Sequence, residues 1–460
     1  MRPVQLSPEA LRHQLARQPA QAAPELAAAL GVSVPTLHRQ MARLPAGELI
    51  SAGRARRTRH ALARRLRGGP SQLPVFAVDR EGRLHTVGPL TLTQPEGSHL
   101  LLADAGWPVP EEARDGWWPG LPYPLHQMRP QGYMGRQFAR LSHRRLQVPE
   151  DVTRWSDDDA LFVMSVAGSD LSGNLIVGEA ACQQWLAERA QPQAPVAEAA
   201  LVAHYLQRAD EAVAAGVAGS SAAGEFPKFT AARALAGAAT PHVIVKFSGA
   251  DDSATVRRWA DLLVCEHLAL EAAATLPGLR AARSRILAGG GRTFLEVERF
   301  DRHGEAGRSP LCALDVLDAA FLGRGGSQWP ALTAALDGLG LLAEGVAPAV
   351  QRLWWFGRLI ANSDMHTGNL AFAPHEGRLA LAPAYDMLPM RLAPLAGGEL
   401  PVRTPEFALP LPGERSAWHE ACTAALGFWD AAAADMRISD GFRALCGQHA
   451  QALRSLAERA

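Results

Sequence analysis

The residues best placed by type and spacing to do chemistry lie in LIANSDMHTGNLAF, residues 359–372, and LALAPAYDMLPM, residues 379–390. Asp364 and Asn369 are separated as D-x-x-x-x-N, and Asp386 follows one short apolar stretch later. An ionised aspartate can orient a substrate hydroxyl and accept its proton. A neutral asparagine amide oxygen can ligate magnesium, and a second carboxylate can bridge that metal to phosphates. This division of labour suits phosphoryl transfer. His366 stands between them and can meet a phosphate as a hydrogen-bond donor. Asp364, His366 and Asp386 would also be the candidates for a hydrolytic metal site, but no HExxH pattern or second histidine cluster accompanies them.

Such a centre needs a cation facing the phosphates. Among 46 basic residues, Lys228 and Lys246 alone are lysine. An ammonium is a compact point charge where a guanidinium is a flat fork of donors, so these two positions stand out chemically. HVIVKFS, residues 242–248, is β-branched and apolar and predicts a strand. Alternation puts Ile244, Lys246 and Ser248 on one face and Val243, Val245 and Phe247 on the other. A helix expected from about 260 to 274 carries Glu266, a natural partner for Lys246. A strand lysine paired with a helix glutamate resembles the protein-kinase arrangement.

Two further stretches belong to the same chemistry. GSSAAGEFPKFT, residues 219–230, is small and flexible up to Pro227 and could bring backbone N–H groups close to phosphate oxygens. GGGRTFLEVERFDR, residues 289–302, predicts a turn and a strand whose end can offer a carbonyl and an N–H to an adenine edge.

The elements that must hold these residues occupy a chain of 460 residues, long enough for two to four domains. Hydrophobic residues make up 48% and mean hydropathy is −0.06, as for a soluble globular protein. No apolar run approaches the roughly 20 residues that span a bilayer, and no signal-peptide core is visible, so a cytoplasmic location is expected. The five scattered cysteines fit buried thiols in a reducing compartment.

Net charge is zero, but it is divided. Residues 1–67 hold twelve Arg and three acids, leaving 34 basic and 43 acidic side chains in the remainder. A polyanionic partner is expected at the N-terminus. There the pattern predicts three helices and a hairpin. Leu11 and Leu15, then Leu26 and Leu30, give apolar stripes; Gly31 supplies a turn; Ser33 caps the third helix. Leu37, Met41 and Leu44 are expected inside, leaving Thr36, His38, Arg39, Gln40 and Arg43 exposed to read base edges or grip phosphates. Two strands follow around Gly53, with Arg54, Arg56, Arg57 and Arg59 at the tip. This resembles a winged helix-turn-helix over residues 1–67, with 68–72 as a linker.

Residues 73–180 show short apolar runs broken by Gly and Pro and are expected to be β-rich. Within them Gly168 and Gly173 have Walker spacing, but Asn174 and Leu175 stand where Lys and Ser/Thr are required, which excludes a P-loop. From about 181 to 216 an Ala-rich stretch is expected to be helical.

Taken together, SSAAGEFPKF, HVIVKF, VERFDR, NSDMHTGN and PAYDM, in that order, resemble the HipA family of serine/threonine kinases, toxin components of type II toxin–antitoxin systems. With the basic head on the same chain, the resemblance is to the YjjJ-type subgroup. It implies an α+β fold: a winged helix-turn-helix, then a bilobal kinase-like body with a β-rich N-terminal subdomain at 73–180. An N-lobe at 181–300 and a mostly helical C-lobe at 301–460 complete it.

By position, the resemblance implies Asp364 as catalytic base, Asn369 and Asp386 as magnesium ligands, and Lys246 on the phosphates of ATP with Glu266. Glu298, Arg299 and Phe300 would form the adenine hinge, and His366 and Tyr385 would belong to the nucleotide site. The loop Ala223, Gly224, Glu225, Phe226, Pro227 and Lys228 would cover the phosphates. Ser220 or Ser221 matches an autophosphorylated serine, whose added charge should expel the loop. Phe226 departs from the family, which usually has Gln before Pro-Lys.

Implied partners are a protein substrate, aminoacyl-tRNA synthetases being family targets; operator DNA through residues 1–67; a separate antitoxin; and a second copy on DNA. Two alternatives stay open: a transcription regulator whose kinase-like domain senses nucleotide, and a small-molecule kinase, since DMHTGN resembles the D-x-H-x-x-N loop of aminoglycoside and choline kinases.

Overall fold

The computed structural model describes residues 6–18, 20–102, 105–214, 226–326, 328–401 and 403–459. Ser220, Ser221, Ala223, Gly224 and Glu225 lie outside the described residues. The chain is mixed α and β and divides into two compact units. One comprises the described residues up to Asp79 with Arg83–Arg129 and Thr153–Gln191; the other comprises Arg80–Gly82, Pro130–Val152 and the described residues from Pro192 onward.

In the first unit the basic head forms α1 (Pro8–Arg17), α2 (Ala23–Ala29) and α3 (Val34–Met41), with short strands β1 (Gln21–Ala22), β2 (Leu49–Ala52) and β3 (Arg59–Leu62) in the order β1-β3-β2. Ser7 and Ser33 cap α1 and α3, each accepting a backbone N–H of the first turn. Leu11, Leu15, Leu26, Leu37, Met41 and Leu62 form its core. A fully buried leucine contributes about 1.5–3 kcal/mol, enough in sum to fold so small a module. Gly53 turns the hairpin at φ +111°, where a Cβ would lie 2.5 Å from the Arg57 carbonyl oxygen.

One expectation for α3 is corrected. Gln40 is 8% exposed, not outward, because it lies three residues beyond Leu37 and next to Met41 on the inward face. Among the described residues its buried Oε1 has no hydrogen-bond partner. Thr36 is half-buried, its hydroxyl 3.0 Å from Ser33 Oγ and accepting from Arg39 Nη2 at 3.2 Å. His38, Arg39, Arg43, Arg56, Arg57 and Arg59 are exposed.

The stretch expected as a linker is built into this unit rather than free. The Leu66 N–H donates to Pro70 O at 3.0 Å, Leu92 N–H to Ser71 O at 3.2 Å, and the strand Gln72–Val78 starts immediately. Arg64 pairs with Asp158 and Arg67 with Asp159 at 2.8 Å, drawing the end of the head onto the helix Asp157–Ala167. The five-stranded sheet here runs Trp117–Trp118, Ser98–His99, Leu84–Leu92, Gln72–Val78, Leu175–Val177.

The second unit is built on a four-stranded antiparallel sheet in the order Ser284–Gly289, Arg292–Glu298, His242–Phe247, Lys228–Ala232. We call the last three the hinge strand, the lysine strand and the loop strand. One face packs on the helix Leu201–Ala214, with Tyr205 and Ala209 against Phe229, Val243, Val245, Phe247 and Phe294. The expected single helix at 181–216 is instead two, Glu179–Ala190 and Leu201–Ala214, because Pro192 and Pro195 interrupt it. The opposite face receives the glutamate helix, Ala254–Ala273, whose buried residues include Leu262, Leu263 and Glu266. Asp261 on it accepts the Ser439 N–H at 2.7 Å and hydroxyl at 2.6 Å, anchoring it to the start of the helix Asp440–Ala457.

Beyond the hinge strand the regular structure is mainly helical. It holds Leu314–Phe321, Trp329–Gly338, Val346–Leu359 and Arg415–Ala434, with a small sheet that includes Ala371–His375 and Arg378–Leu381. No helix of the described residues is long and apolar enough to cross a membrane.

Candidate functional site

Lys246 points from the lysine strand to the face covered by the glutamate helix, as the strand alternation requires. Its Nζ donates to Glu266 Oε1 and Oε2 at 2.6 and 2.8 Å and to Asp386 Oδ1 at 2.6 Å. The lysine is 5% exposed and Glu266 1%. Burial works against the ammonium, but Asp386 and Glu266 together hold its pKa above the ordinary value. Burial would likewise raise the Asp386 carboxyl; the charges of Lys246 and Lys228 and the Lys246 hydrogen bond outweigh it and bring it down to about 2. Asp386 sits at φ +53°, a left-handed conformation that aspartate tolerates better than most residues and that recurs at functional sites.

The second lysine lies in the same place. Lys228 is the cross-strand partner of Lys246, and its charge acts on both Asp386 and Glu266. Just before it, Phe226 is buried with its ring against Trp259 of the glutamate helix, centroids 4.8 Å apart at 78°. An aromatic ring at 226 therefore fills an apolar slot two helical turns from Glu266, where a glutamine would bring a polar amide. Pro227 accepts the Phe247 N–H at 3.1 Å.

The loop 361–370 is fixed by its own side chains. The Asp364 N–H donates to Asn362 Oδ1 at 3.0 Å, and Asn369 Nδ2 donates to the Asp364 carbonyl at 2.8 Å. That bond turns the Asn369 amide oxygen away from the backbone partner, the orientation a metal ligand needs. The Gly368 N–H donates to His366 Nδ1 at 3.1 Å, which places the ring proton on Nε2 and makes that nitrogen a donor. Trp329 Nε1 donates to the His366 carbonyl at 3.1 Å, and the Tyr385 hydroxyl to the Gly368 carbonyl at 2.6 Å. Burial raises the Tyr385 hydroxyl, so it remains protonated as that donor. The Asp364 residue is exposed.

Asp386 Oδ1 is taken by Lys246, while among the described residues no hydrogen bond is made to Oδ2, and the side chain keeps 29% exposure. A low-pKa carboxylate and an amide oxygen fit a hard cation such as magnesium, which keeps several ligands from water and phosphate. Among the described residues no group of three or more His, Cys, Asp or Glu is gathered as a metal site would require.

At the hinge, side chains and backbone play different parts. The Glu298 and Arg299 N–H groups already donate to the Arg283 and His242 carbonyls at 2.8 and 3.1 Å. The Arg299 side chain is buried against Asp301, which also holds Arg302 at 2.8 Å, so this block is an ion-pair knot that shapes the turn. The Phe300 ring lies 5.6 Å from that of Tyr385, giving two aromatic faces. The structure thus gathers Lys228, Lys246, Glu266 and Asp386, links Asp364 with Asn369, and pairs Phe300 with Tyr385. It turns the side chains of Glu298 and Arg299 into other networks.

Asn362 is the site residue that the sequence did not single out. Its Oδ1 holds Asp364 while Nδ2 reaches the Asp386 carbonyl at 3.4 Å, spanning both acidic loops. Its position two residues before Asp364 was the available signal.

Two family models match this chain: YjjJ-like toxin, middle domain, over residues 69–186, and HipA-like C-terminal domain over residues 220–455. A protein of Escherichia coli (strain K12) described as Toxin YjjJ is 36% identical over 438 residues, which are 95% of this chain and 96% of that protein. This chain belongs to the YjjJ-like toxin family of HipA type. Among solved structures, the HipA chain from a complex of Shewanella oneidensis MR-1 HipA, HipB and operator DNA superposes with a TM-score of 0.51 at 14% identity. That match covers 84% of this chain and 97% of the other, and shows a shared HipA-type fold. The Helicobacter pylori proinflammatory kinase CtkA overlaps half of this chain, 50%, at a TM-score of 0.34 and 12% identity. In this YjjJ-like chain the lysine–glutamate–aspartate cluster falls wholly within the stretch matched by the HipA-like C-terminal model.

Proposed function

We propose that this YjjJ-like chain is an ATP-dependent, magnesium-requiring serine/threonine protein kinase that acts as a toxin and binds DNA through residues 1–67. The observation that carries the reading is the Lys246 ammonium held by Glu266 at 2.6 Å and by Asp386 at 2.6 Å on a rigid strand. Strand lysine, helix glutamate and metal-binding aspartate are the parts that must converge for phosphoryl transfer in protein kinases.

Each residue then has a task. Lys246 turns from Asp386 to the nucleotide phosphates while Glu266 keeps it aimed. Asn369 and Asp386 would hold magnesium, which would supply neutralisation of phosphate charge. Asp364, exposed at the loop, accepts the proton of the substrate hydroxyl. His366 Nε2 and Lys228 add donors around the phosphates. Phe300 and Tyr385 flank the base. Loop 220–228, with Ser220 or Ser221 as the autophosphorylated residue, covers the triphosphate.

In the head, exposed His38, Arg39 and Arg43 on α3 and Arg56, Arg57 and Arg59 at the hairpin support a winged helix-turn-helix that meets operator DNA. Two copies on a symmetric operator, an antitoxin, and an aminoacyl-tRNA synthetase as target follow from family likeness. The solved HipA relative stands in a complex with HipB and operator DNA.

Phosphoproteomics after induced expression tests the reading. Wild type should add phosphate to a small set of serines or threonines in host proteins, and Asp364→Asn should not. Identical phosphoproteomes for the two would contradict a protein kinase and favour a nucleotide-sensing regulator.

A further inference from the structure

Behind the hinge strand lies a buried ion network that the phosphate chemistry does not use. Glu296 and Glu298 alternate onto the face of that strand opposite Leu295, the cross-strand partner of Lys246. Two carboxylates on one face repel, and a cation with several directed donors can bridge both. Arg233, just past the end of the loop strand, is that cation: 2% exposed, it sends Nε to Glu296 Oε1 at 2.7 Å, Nη2 to Glu298 Oε1 at 2.8 Å and Nη1 to the Thr240 carbonyl at 2.8 Å. Arg285 takes both Glu296 oxygens at 2.9 and 3.1 Å, and the Tyr205 hydroxyl donates to Oε2 at 2.7 Å. A cavity of about 410 Å³ borders the cluster, lined in part by Arg233, Arg283, Arg285 and Glu298. The cavity leaves that flank partly open, so the ion network reinforces a strand end that the Glu298 and Arg299 N–H groups hold to the Arg283 and His242 carbonyls.

We infer that Arg233 is a positioning residue for the adenine hinge. It clamps the last residues of the hinge strand and so sets where the Phe300 peptide meets the base. The inference rests on the ATP reading. A fork is required because three acceptors on two segments are met at once; one ammonium could not span them with that geometry.

The test uses the full-length protein and equilibrium binding of three probes: adenosine, magnesium-ATP and inorganic triphosphate. In Arg233→Lys, adenosine and ATP should bind about tenfold more weakly, the loss expected from one or two charge-assisted hydrogen bonds, while triphosphate binding stays unchanged. KM for ATP should rise with kcat within about twofold. Glu298→Gln, a gentler change should the arginine variant fold poorly, should shift adenosine binding in the same direction. Unchanged adenosine binding in both variants overturns the inference, and so does a parallel fall in triphosphate binding, which would mark general damage. A wild type that binds triphosphate but neither adenosine nor ATP would refute the adenine-site reading itself, and this inference with it.

Discussion

Lys246→Arg is the perturbation that bears most sharply on the chemistry. Lys246 Nζ meets three carboxylate oxygens at 2.6 to 2.8 Å in a site that leaves the residue 5% exposed. A guanidinium is longer and planar, so it cannot place one donor point equidistant from Glu266 and Asp386; forcing it into a packed site costs about 1–3 kcal/mol. The misplaced phosphate contact, a charged hydrogen bond, should cost a further ~1.5–3 kcal/mol in the transition state, or a factor of about 10 to 150 in kcat/KM. Lys228→Arg is the control. Lys228 is half-buried and opens the loop strand on the sheet's edge, where a change of head group is less confined than at Lys246, so the loss should stay within about fivefold. The assay is initial-rate phosphate transfer from ATP with magnesium, with thermal unfolding of each variant measured alongside. A folded Lys246→Arg protein within about twofold of wild type, or a larger loss from Lys228→Arg, would refute the reasoning.

Asn362→Ala should lower kcat about 10- to 100-fold with KM for ATP little changed, because it frees the Asp364 and Asp386 loops without touching the base site; equal effects on both parameters would count against that role. Asp386, lowered from 3.8 to about 2 in the folded protein, adds stability that is complete above its ordinary pKa and is lost as pH falls through the folded value. Urea titrations should show about 2 kcal/mol from this group, about half of it gone by pH 3, and Asp386→Asn should flatten that part of the curve; parallel curves would contradict it. In the head, Arg39→Ala with Arg43→Ala should weaken duplex binding and reduce the slope of log K against log salt by about two. Gln40→Leu, which removes a buried carbonyl without a partner, should stabilise by about 1 kcal/mol and leave DNA affinity unaltered; a loss of affinity would return Gln40 to the contact surface.

Local patterns and family blocks made the core of the site legible before any fold was known. Lys246 and Glu266 could be paired because strand alternation and helix spacing are short-range properties. The Lys246–Asp386 contact joins residues 140 positions apart, and no periodicity reports such a distance. Gln40 was misassigned because an eight-residue helix offers both i+3 and i+4 inward positions, and the polar residue took the slot beside Met41. Arg233 escaped notice because a lone arginine among 44 has no local signature; its value comes from acceptors at residues 240, 296 and 298. Glu298 and Arg299 are placed at the hinge by likeness, as backbone groups, and that likeness gave no sign that their side chains join ion networks with Arg233 and Asp301.

The central claim, phosphoryl transfer at this site, is tested most directly by incubating purified protein with ATP and magnesium and locating added phosphate by mass spectrometry. Wild type should gain phosphate on Ser220 or Ser221 and Asp364→Asn should gain none. An unmodified wild type, or an Asp364→Asn protein labelled to the same extent, would contradict the account.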